Sequence, residues 1–212
     1  KIQFATDSIG YASTSYIEFF KTTNAGLNWN NISSPDWTVE DMAVLNKDTI
    51  LYATGSFGNG GVYRSTDGGY NWQLIWTNGT SGNPSKIYMF DKNMGFTLAS
   101  SLRKTTNGGL NWVDFSSGGI ATDIKFIDTL VGWKTYDGIK KTTDGGSNWF
   151  SQQLPNYSSS FTNGCISIIN RDTVWMVGAE KYKRAPVYKT TNGGLNWGYQ
   201  IPDTTLQIYA YN

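Results

Sequence analysis

Nine residues, KTTNGGLNW, occupy positions 104–112 and return unchanged at 189–197. Close copies lie at 21–29 (KTTNAGLNW), 64–72 (RSTDGGYNW) and 141–149 (KTTDGGSNW). No other feature constrains the fold as much. The closing tryptophans Trp29, Trp72, Trp112, Trp149 and Trp197 are spaced by 43, 40, 37 and 48 residues. A period near 40 means one supersecondary unit per repeat, stacked on its neighbours because a single unit cannot bury its own apolar face.

Each copy reads as a tight turn between two strands. The residues before it are β-rich, as in GGVYRS and APVYKT. Thr22, Ser65, Thr105, Thr142 and Thr190 end the incoming strand. Asn24, Asp67, Asn107, Asp144 and Asn192 can accept loop N–H groups in the manner of an Asx-turn. The second glycine (Gly26, Gly69, Gly109, Gly146, Gly194) is present every time, which predicts a positive φ. The first is replaced once, by Ala25, which predicts a less demanding geometry there. The tryptophan is expected to open the next strand and to bury a large ring under the turn.

A second aromatic recurs upstream, at Tyr11, Tyr52, Phe96, Trp133 and Trp175. It predicts second strands. Shorter apolar segments before it (KIQF, DMAVL, KIYMF, DIKFI, CISII) predict first strands, with polar turns between. Each repeat then holds about four short strands, as a propeller blade does. No segment has the periodicity and length of a helix. The expectation is one all-β domain over 1–212, a β-propeller of about five four-stranded blades. The repeats run approximately over 1–34, 35–80, 81–117, 118–155 and 156–202. The remaining 203–212 read either as a closing strand or as the opening of a sixth blade, the second making the chain part of a larger propeller. Lys1 is neither an initiator methionine nor the start of a signal peptide, so the chain is expected to begin inside something longer or already processed.

The motif (Ser/Thr)-x-(Asp/Asn)-x-Gly-x-x-Trp resembles the Asp-box, or bacterial neuraminidase repeat. That resemblance implies a turn between the third and fourth strands of a blade, with a structural rather than catalytic role. Three of the five copies carry Asn for Asp. In short regular blades the pattern is similar to bacterial exported propellers related to the photosystem II stability and assembly factor family. This implies a non-enzymatic scaffold that docks a protein partner, in the periplasm, at the cell surface or outside the cell. Members of that family use an Arg-rich patch, whereas this chain has only Arg64, Arg103, Arg171 and Arg184, scattered. Arg64 and Arg103, in or beside the basic slot of a box, read as strand-surface residues. Sialidases with such boxes use an arginine triad and an Arg-Ile-Pro signature, and the signature is absent.

Composition narrows the chemistry. There is no histidine and one cysteine, so His-based catalysis is excluded, zinc and copper have almost no ligands, and no cofactor is expected. Cys165, in GCISIIN, reads as a buried structural thiol. With 17 Lys+Arg against 16 Asp+Glu, nothing favours nucleic acid or an anionic membrane, and no apolar run could span a bilayer. The carboxylates outside the turns (Glu18, Asp36, Glu40, Asp41, Asp114, Asp123, Asp137, Glu180) read as solvated loop acids. A glycosidase pair, as in xyloglucan-cleaving enzymes with similar repeats, is the rarer alternative. Four DSI/DTI/DTL/DTV tripeptides fall in first-to-second-strand turns, and they resemble an O-glycosylation signal of exported proteins.

Binding is expected where the repeats differ, in loops 33–41, 55–61, 75–86, 154–164 and 180–186. Trp37, Phe57, Trp76, Tyr157 and Tyr182 lie in or beside them, outside both aromatic periodicities. They are the candidate anchors for a protein partner or, alternatively, for a glycan.

Overall fold

In the computed structural model the described residues are 1–14, 18–32, 34, 38–55, 60–77, 84–99, 101–115, 121–136, 138–155, 161–180 and 187–200. They form two compact units, Lys1–Ser116 and Ser117–Asn212. The first unit holds three four-stranded antiparallel sheets. Sheet 1 contains β1 (Ile2–Phe4), β2 (Gly10–Ser13), β3 (Phe19–Thr22) and β4 (Asn30–Ile32); sheet 2 contains β5 (Asp41–Val44), β6 (Ile50–Thr54), β7 (Gly61–Ser65) and β8 (Gln73–Thr77). Sheet 3 contains β9 (Lys86–Met89), β10 (Gly95–Leu98), β11 (Leu102–Thr105) and β12 (Val113–Asp114). The second unit holds sheet 4, with β13 (Asp123–Phe126), β14 (Gly132–Tyr136), β15 (Gly138–Thr142) and β16 (Phe150–Ser151), and sheet 5, with β17 (Phe161–Ile168), β18 (Val174–Glu180), β19 (Val187–Thr190) and β20 (Gly198–Tyr199). Every sheet is a simple meander, and no helix occurs among the described residues.

The nine-residue turn joins the third and fourth strand of every sheet, and one set of bonds builds it five times. The Ser/Thr hydroxyl oxygen accepts from the second glycine's N–H, at 2.8 Å in Ser65 and 2.9 Å in Thr22, Thr105, Thr142 and Thr190. The same hydroxyl donates to the Asn/Asp side chain two residues on, at 2.8–3.0 Å. That side chain accepts the N–H of the Asn four residues on, at 2.9–3.0 Å. The turn's polar groups are thus largely satisfied from within. Where the acceptor is Asp, its second oxygen takes the Asn71 or Asn148 amide as well. These hydrogen bonds, led by the Asn71 N–H, draw the Asp67 carboxyl down to about 2. Hydrogen bonds led by the Asn148 N–H likewise lower that of Asp144.

Both glycine slots have positive φ. The second lies at +81° to +92°, as predicted. The first lies at +68° to +77°, with Ala25 at +59°, inside the small left-handed region open to an L-residue. The first slot is therefore less restrictive in degree, not in sign. Its N–H reaches back to the first-to-second-strand turn of the same sheet, from Gly68 to the Asp48 carbonyl at 2.8 Å and from Gly193 to that of Asp172 at 2.9 Å.

Successive sheets within a unit join through these turns. Lys21, Arg64 and Lys141 donate to the carbonyls of Gly68, Gly108 and Gly193, the first turn glycine of the following sheet. Under the turn lies a fully buried side chain of the preceding sheet's second strand, Tyr11, Leu51 or Trp133. Tyr11 also donates its hydroxyl to the Lys47 carbonyl at 2.6 Å, and burial, reinforced by nearby Asp48, pushes the phenol up to about 12.

Two sequence expectations change here. Tyr52 does not belong to the second-strand aromatic series. Leu51 pairs with the basic Arg64, as Tyr11 does with Lys21 and Trp133 with Lys141, and Tyr52 is one residue out of register. A shift of one places a strand residue on the opposite face, so Tyr52 packs with Phe19 and Trp72, ring centroids 5.7 and 5.4 Å away. Cys165 is exposed, not buried: β17 alternates, with Gly164 and Ile166 buried and Cys165 and Ser167 outward.

Candidate functional site

In a meander of four strands the first-to-second and third-to-fourth turns share one end of the sheet. The second-to-third turns and the sheet-to-sheet connections share the other. The first end is uniform and its polar groups are mutually bonded. The segments that vary between repeats connect strands at the second end, which is where the sequence contrast leads one to expect a binding surface. Trp37, Phe57, Tyr157 and Tyr182 fall outside the described residues, as do Asp36 and Asp137.

Trp76 is described, and it lies in β8 rather than in a loop. It pairs with Val62 and packs against the cluster built on Ala43, Leu51, Ala53, Val62 and Ile87. Its ring carries the Arg103 guanidinium at 4.4 Å from the centroid, and Arg103 in turn binds the exposed Asp114 carboxylate at 3.2 Å, its cross-strand partner. Ser101 leans on the same carboxylate at 3.4 Å. A Trp–Arg–Asp stack therefore stands at the variable end of sheets 2 and 3. Arg103 had been assigned only a strand surface, and the signal for its role was present: it pairs by hairpin register with Asp114.

The inner carboxylates have structural partners instead of solvent. Asp41 is buried; one oxygen takes the Met42 N–H and the Lys1 ammonium, the other the Ile87 N–H of sheet 3 at 3.0 Å. Asp123 repeats this in the second unit, bonding the Ile124 N–H and, at 2.9 Å, the Ile166 N–H of sheet 5. Both are first-strand residues at one register, opposite Ala53 and Thr135. They are strand-to-strand ties, which corrects their assignment as loop acids. Beside Asp123, the Thr122 and Thr135 hydroxyls lie 3.0 Å apart, with Thr135 donating to the Gly164 carbonyl at 2.8 Å. Glu18 and Glu40 remain exposed at the variable end. Among the described residues no group of three Asp, Glu or Cys could hold a metal ion.

Lys134 is the charged group with the most unusual surroundings. It is 2% exposed, its ammonium lies 5.1 Å from the Trp149 ring centroid, and burial pushes it down to about 8, with Lys140 adding repulsion. Its register equivalent in sheet 5 is Met176.

No protein-family profile matches the sequence, and no curated protein matches it. Solved structures do. An ancestral GH74 enzyme superposes with a TM-score of 0.74 at 19% identity, over 94% of this chain and 30% of the enzyme. The GH74 xyloglucanase of Xanthomonas campestris gives 0.72 at 13%, over 92% of this chain and 37% of its own length. YCF48 bound to D1 peptide gives 0.57 at 11%, over 97% of this chain and 83% of YCF48. The fold is a β-propeller fold. The chain spans about a third of the GH74 enzymes it matches, and at these identities the likeness is one of fold.

Proposed function

We propose that this chain is a non-enzymatic binding or scaffold propeller, exported to the periplasm, the cell surface or beyond, that recognises a protein partner at its variable end. The carrying observation is how the polar groups are used. The five nine-residue turns satisfy themselves, and Asp41 and Asp123 tie first strands together, so neither supplies a reacting group. The variable end keeps an aromatic–cation–carboxylate stack with an exposed carboxylate, Trp76–Arg103–Asp114. Such groups serve recognition on a rigid scaffold. The likeness to a YCF48 structure that contains a bound peptide favours a peptide as the recognised chemistry. Trp37, Phe57, Tyr157 and Tyr182, on the same variable segments, are the further proposed anchors.

The reading is tested by selecting a phage-displayed linear peptide library on the immobilised chain and measuring the enriched peptides against Trp37→Ala, Tyr182→Ala and Asp114→Lys. Binding lost with the melting temperature kept supports it. Peptides that bind these variants unchanged, yet lose binding to Lys21→Glu or Lys141→Glu beside the turns, would place recognition at the opposite end and reject it.

The GH74 likeness favours one alternative, a piece of a glycan-binding or glycan-cleaving propeller. Release of reducing ends from xyloglucan, abolished in Glu40→Gln or Glu18→Gln, would establish that reading instead.

A further inference from the structure

The five first-to-second-strand turns have one length and align residue for residue. Each is closed by a backbone bond from the N–H of its first residue to the carbonyl of its fifth: Ala5 to Ile9, Leu45 to Thr49, Phe90 to Met94, Ile127 to Val131 and Ile169 to Thr173, at 2.8–3.0 Å. The second residue (Thr6, Asn46, Asp91, Asp128, Asn170) accepts the N–H groups of the fourth and fifth with one side-chain oxygen, at 2.6–3.3 Å. This alignment separates the four Asp-Ser/Thr tripeptides, which look equivalent in the sequence. Thr49 and Thr173 are fifth residues, a position half-buried or buried in every sheet. Ser8 is a fourth residue, its hydroxyl 3.5 Å from that of Thr6. Thr129 is a third residue, the tip, which is exposed in all five sheets. That exposure belongs to the turn itself: sheet 2 is bonded to sheets 1 and 3 within its own unit, and its tip, Lys47, is exposed all the same.

Sheet 4 also differs in what its tip carries. The third and fourth residues elsewhere are Asp7–Ser8, Lys47–Asp48, Lys92–Asn93 and Arg171–Asp172, each pair with at least one charge. In sheet 4 they are Thr129 and Leu130, an uncharged pair whose leucine is 56% exposed. The preceding Asp128 is engaged on both oxygens. One accepts the Leu130 and Val131 N–H groups at 2.8 and 2.7 Å, and the other binds the Arg171 guanidinium of sheet 5. Asp128 thus fixes the turn and leaves the Thr129 side chain facing solvent.

We propose that the Thr129 hydroxyl carries an O-linked glycan, and that its place in the turn selects it over Thr49 and Thr173. The proposal rests on the reading of the chain as exported, since the tripeptide resembles a signal of exported proteins. A separate transferase performs the step, using a sugar activated as its diphosphate ester. Thr129 Oγ1 attacks the anomeric carbon and bonds to it. The bond from that carbon to the diphosphate oxygen breaks, the diphosphate leaves with the electron pair, and the hydroxyl proton passes to a base of the transferase. An acceptor must enter another enzyme's site, which an exposed turn tip can do and a half-buried fifth residue cannot. A sugar also suits its neighbours. It is neutral, so it adds no repulsion against Asp128, and its C–H face can cover Leu130 while its hydroxyls stay hydrated. A phosphate would instead set about two negative charges beside that carboxylate.

Cleavage after lysine and arginine reads the site directly. The fragment Phe126–Lys134 contains Thr129 as its one hydroxyl-bearing residue, and Asp172–Lys181 contains only Thr173. The chain is isolated from each cell fraction of the organism that produces it, and both fragments are weighed by mass spectrometry. Phe126–Lys134 should be heavier by one or more sugar residues. Asp172–Lys181, with the same Asp-Thr-aliphatic signal, should keep its unmodified mass. Thr129→Val should abolish the added mass and Thr129→Ser should retain it. An unmodified Phe126–Lys134, or one heavier by a phosphate, overturns the proposal. Sugar on both fragments overturns selection by turn position. The cell fraction reports on export separately. An unmodified chain outside the cytoplasm ends this proposal and leaves the export reading standing, whereas a chain confined to the cytoplasm rejects the export reading whatever the fragments weigh.

Discussion

Gly26 and Gly109 occupy the same slot of the same turn, with φ of +85° and +81°, but only one is packed against. A Cβ at Gly109 would stand 2.7 and 2.8 Å from the two methyls of Leu51 in the preceding sheet; at Gly26 the nearest atoms, on Phe4 and Trp29, are 3.7 Å away. Gly→Ala at either position imposes left-handed strain of ~1–2 kcal/mol. At Gly109 it adds overpacking against a fully buried leucine, ~1–3 kcal/mol more. Gly109→Ala should thus lose roughly twice what Gly26→Ala loses in equilibrium urea unfolding. The excess should be relieved by making room: in a Leu51→Ala background, the Gly109 substitution should cost no more than Gly26→Ala does. If the two single variants are equally destabilised, or if Gly109→Ala and Leu51→Ala are strictly additive, the sheet-to-sheet packing assigned to the turn is wrong.

Asp123→Ala should cost about 1–3 kcal/mol, because it strips the acceptor from the Ile166 N–H between two first strands; hydrogen exchange at Ile166 should accelerate, and unchanged protection there would refute the tie. Lys134→Met, which installs the residue sheet 5 uses at that position, should stabilise by roughly 2–3 kcal/mol at pH 7, since burial pulls the ammonium from 10.5 to about 8. The unfolded chain binds the extra proton between those values, so wild-type stability should rise from pH 8 to pH 10.5 while the variant lacks that component; identical pH profiles would contradict it. Asp67→Asn should be tolerated at pH 7, since Asn fills this slot in three of the five turns. The wild-type carboxylate's share of stability is complete above its unfolded value near 4 and is lost as pH falls toward 2. Acid unfolding of the variant should accordingly be shallower, and a steeper transition would count against the hydrogen-bonded carboxylate.

The sequence by itself determined the turns and their repetition. Five copies of one motif identify local bonds between residues at most four apart, and such bonds form in the same way whatever surrounds them. Hence the acceptor role of Asn24 toward a loop N–H, the positive φ of the second glycine and the four strands per repeat were all legible. What joins one repeat to the next was not. The Lys21–Gly68 and Asp41–Ile87 bonds span 47 and 46 residues, and nothing in a local pattern says which face of a strand meets a neighbour. Tyr52 looked like part of an aromatic series, but register, which alternates faces with every residue, gave that position to Leu51. Cys165 looked buried because its neighbours are apolar. Its own side chain points to the opposite side of β17 from Gly164 and Ile166, where it is exposed. Trp76 looked like a loop anchor until β8 extended to include it and set its ring against Arg103. In each case the residue type was visible in the sequence, but its partner was fixed by strand register and by the packing of one sheet on the next, which only the tertiary structure decides.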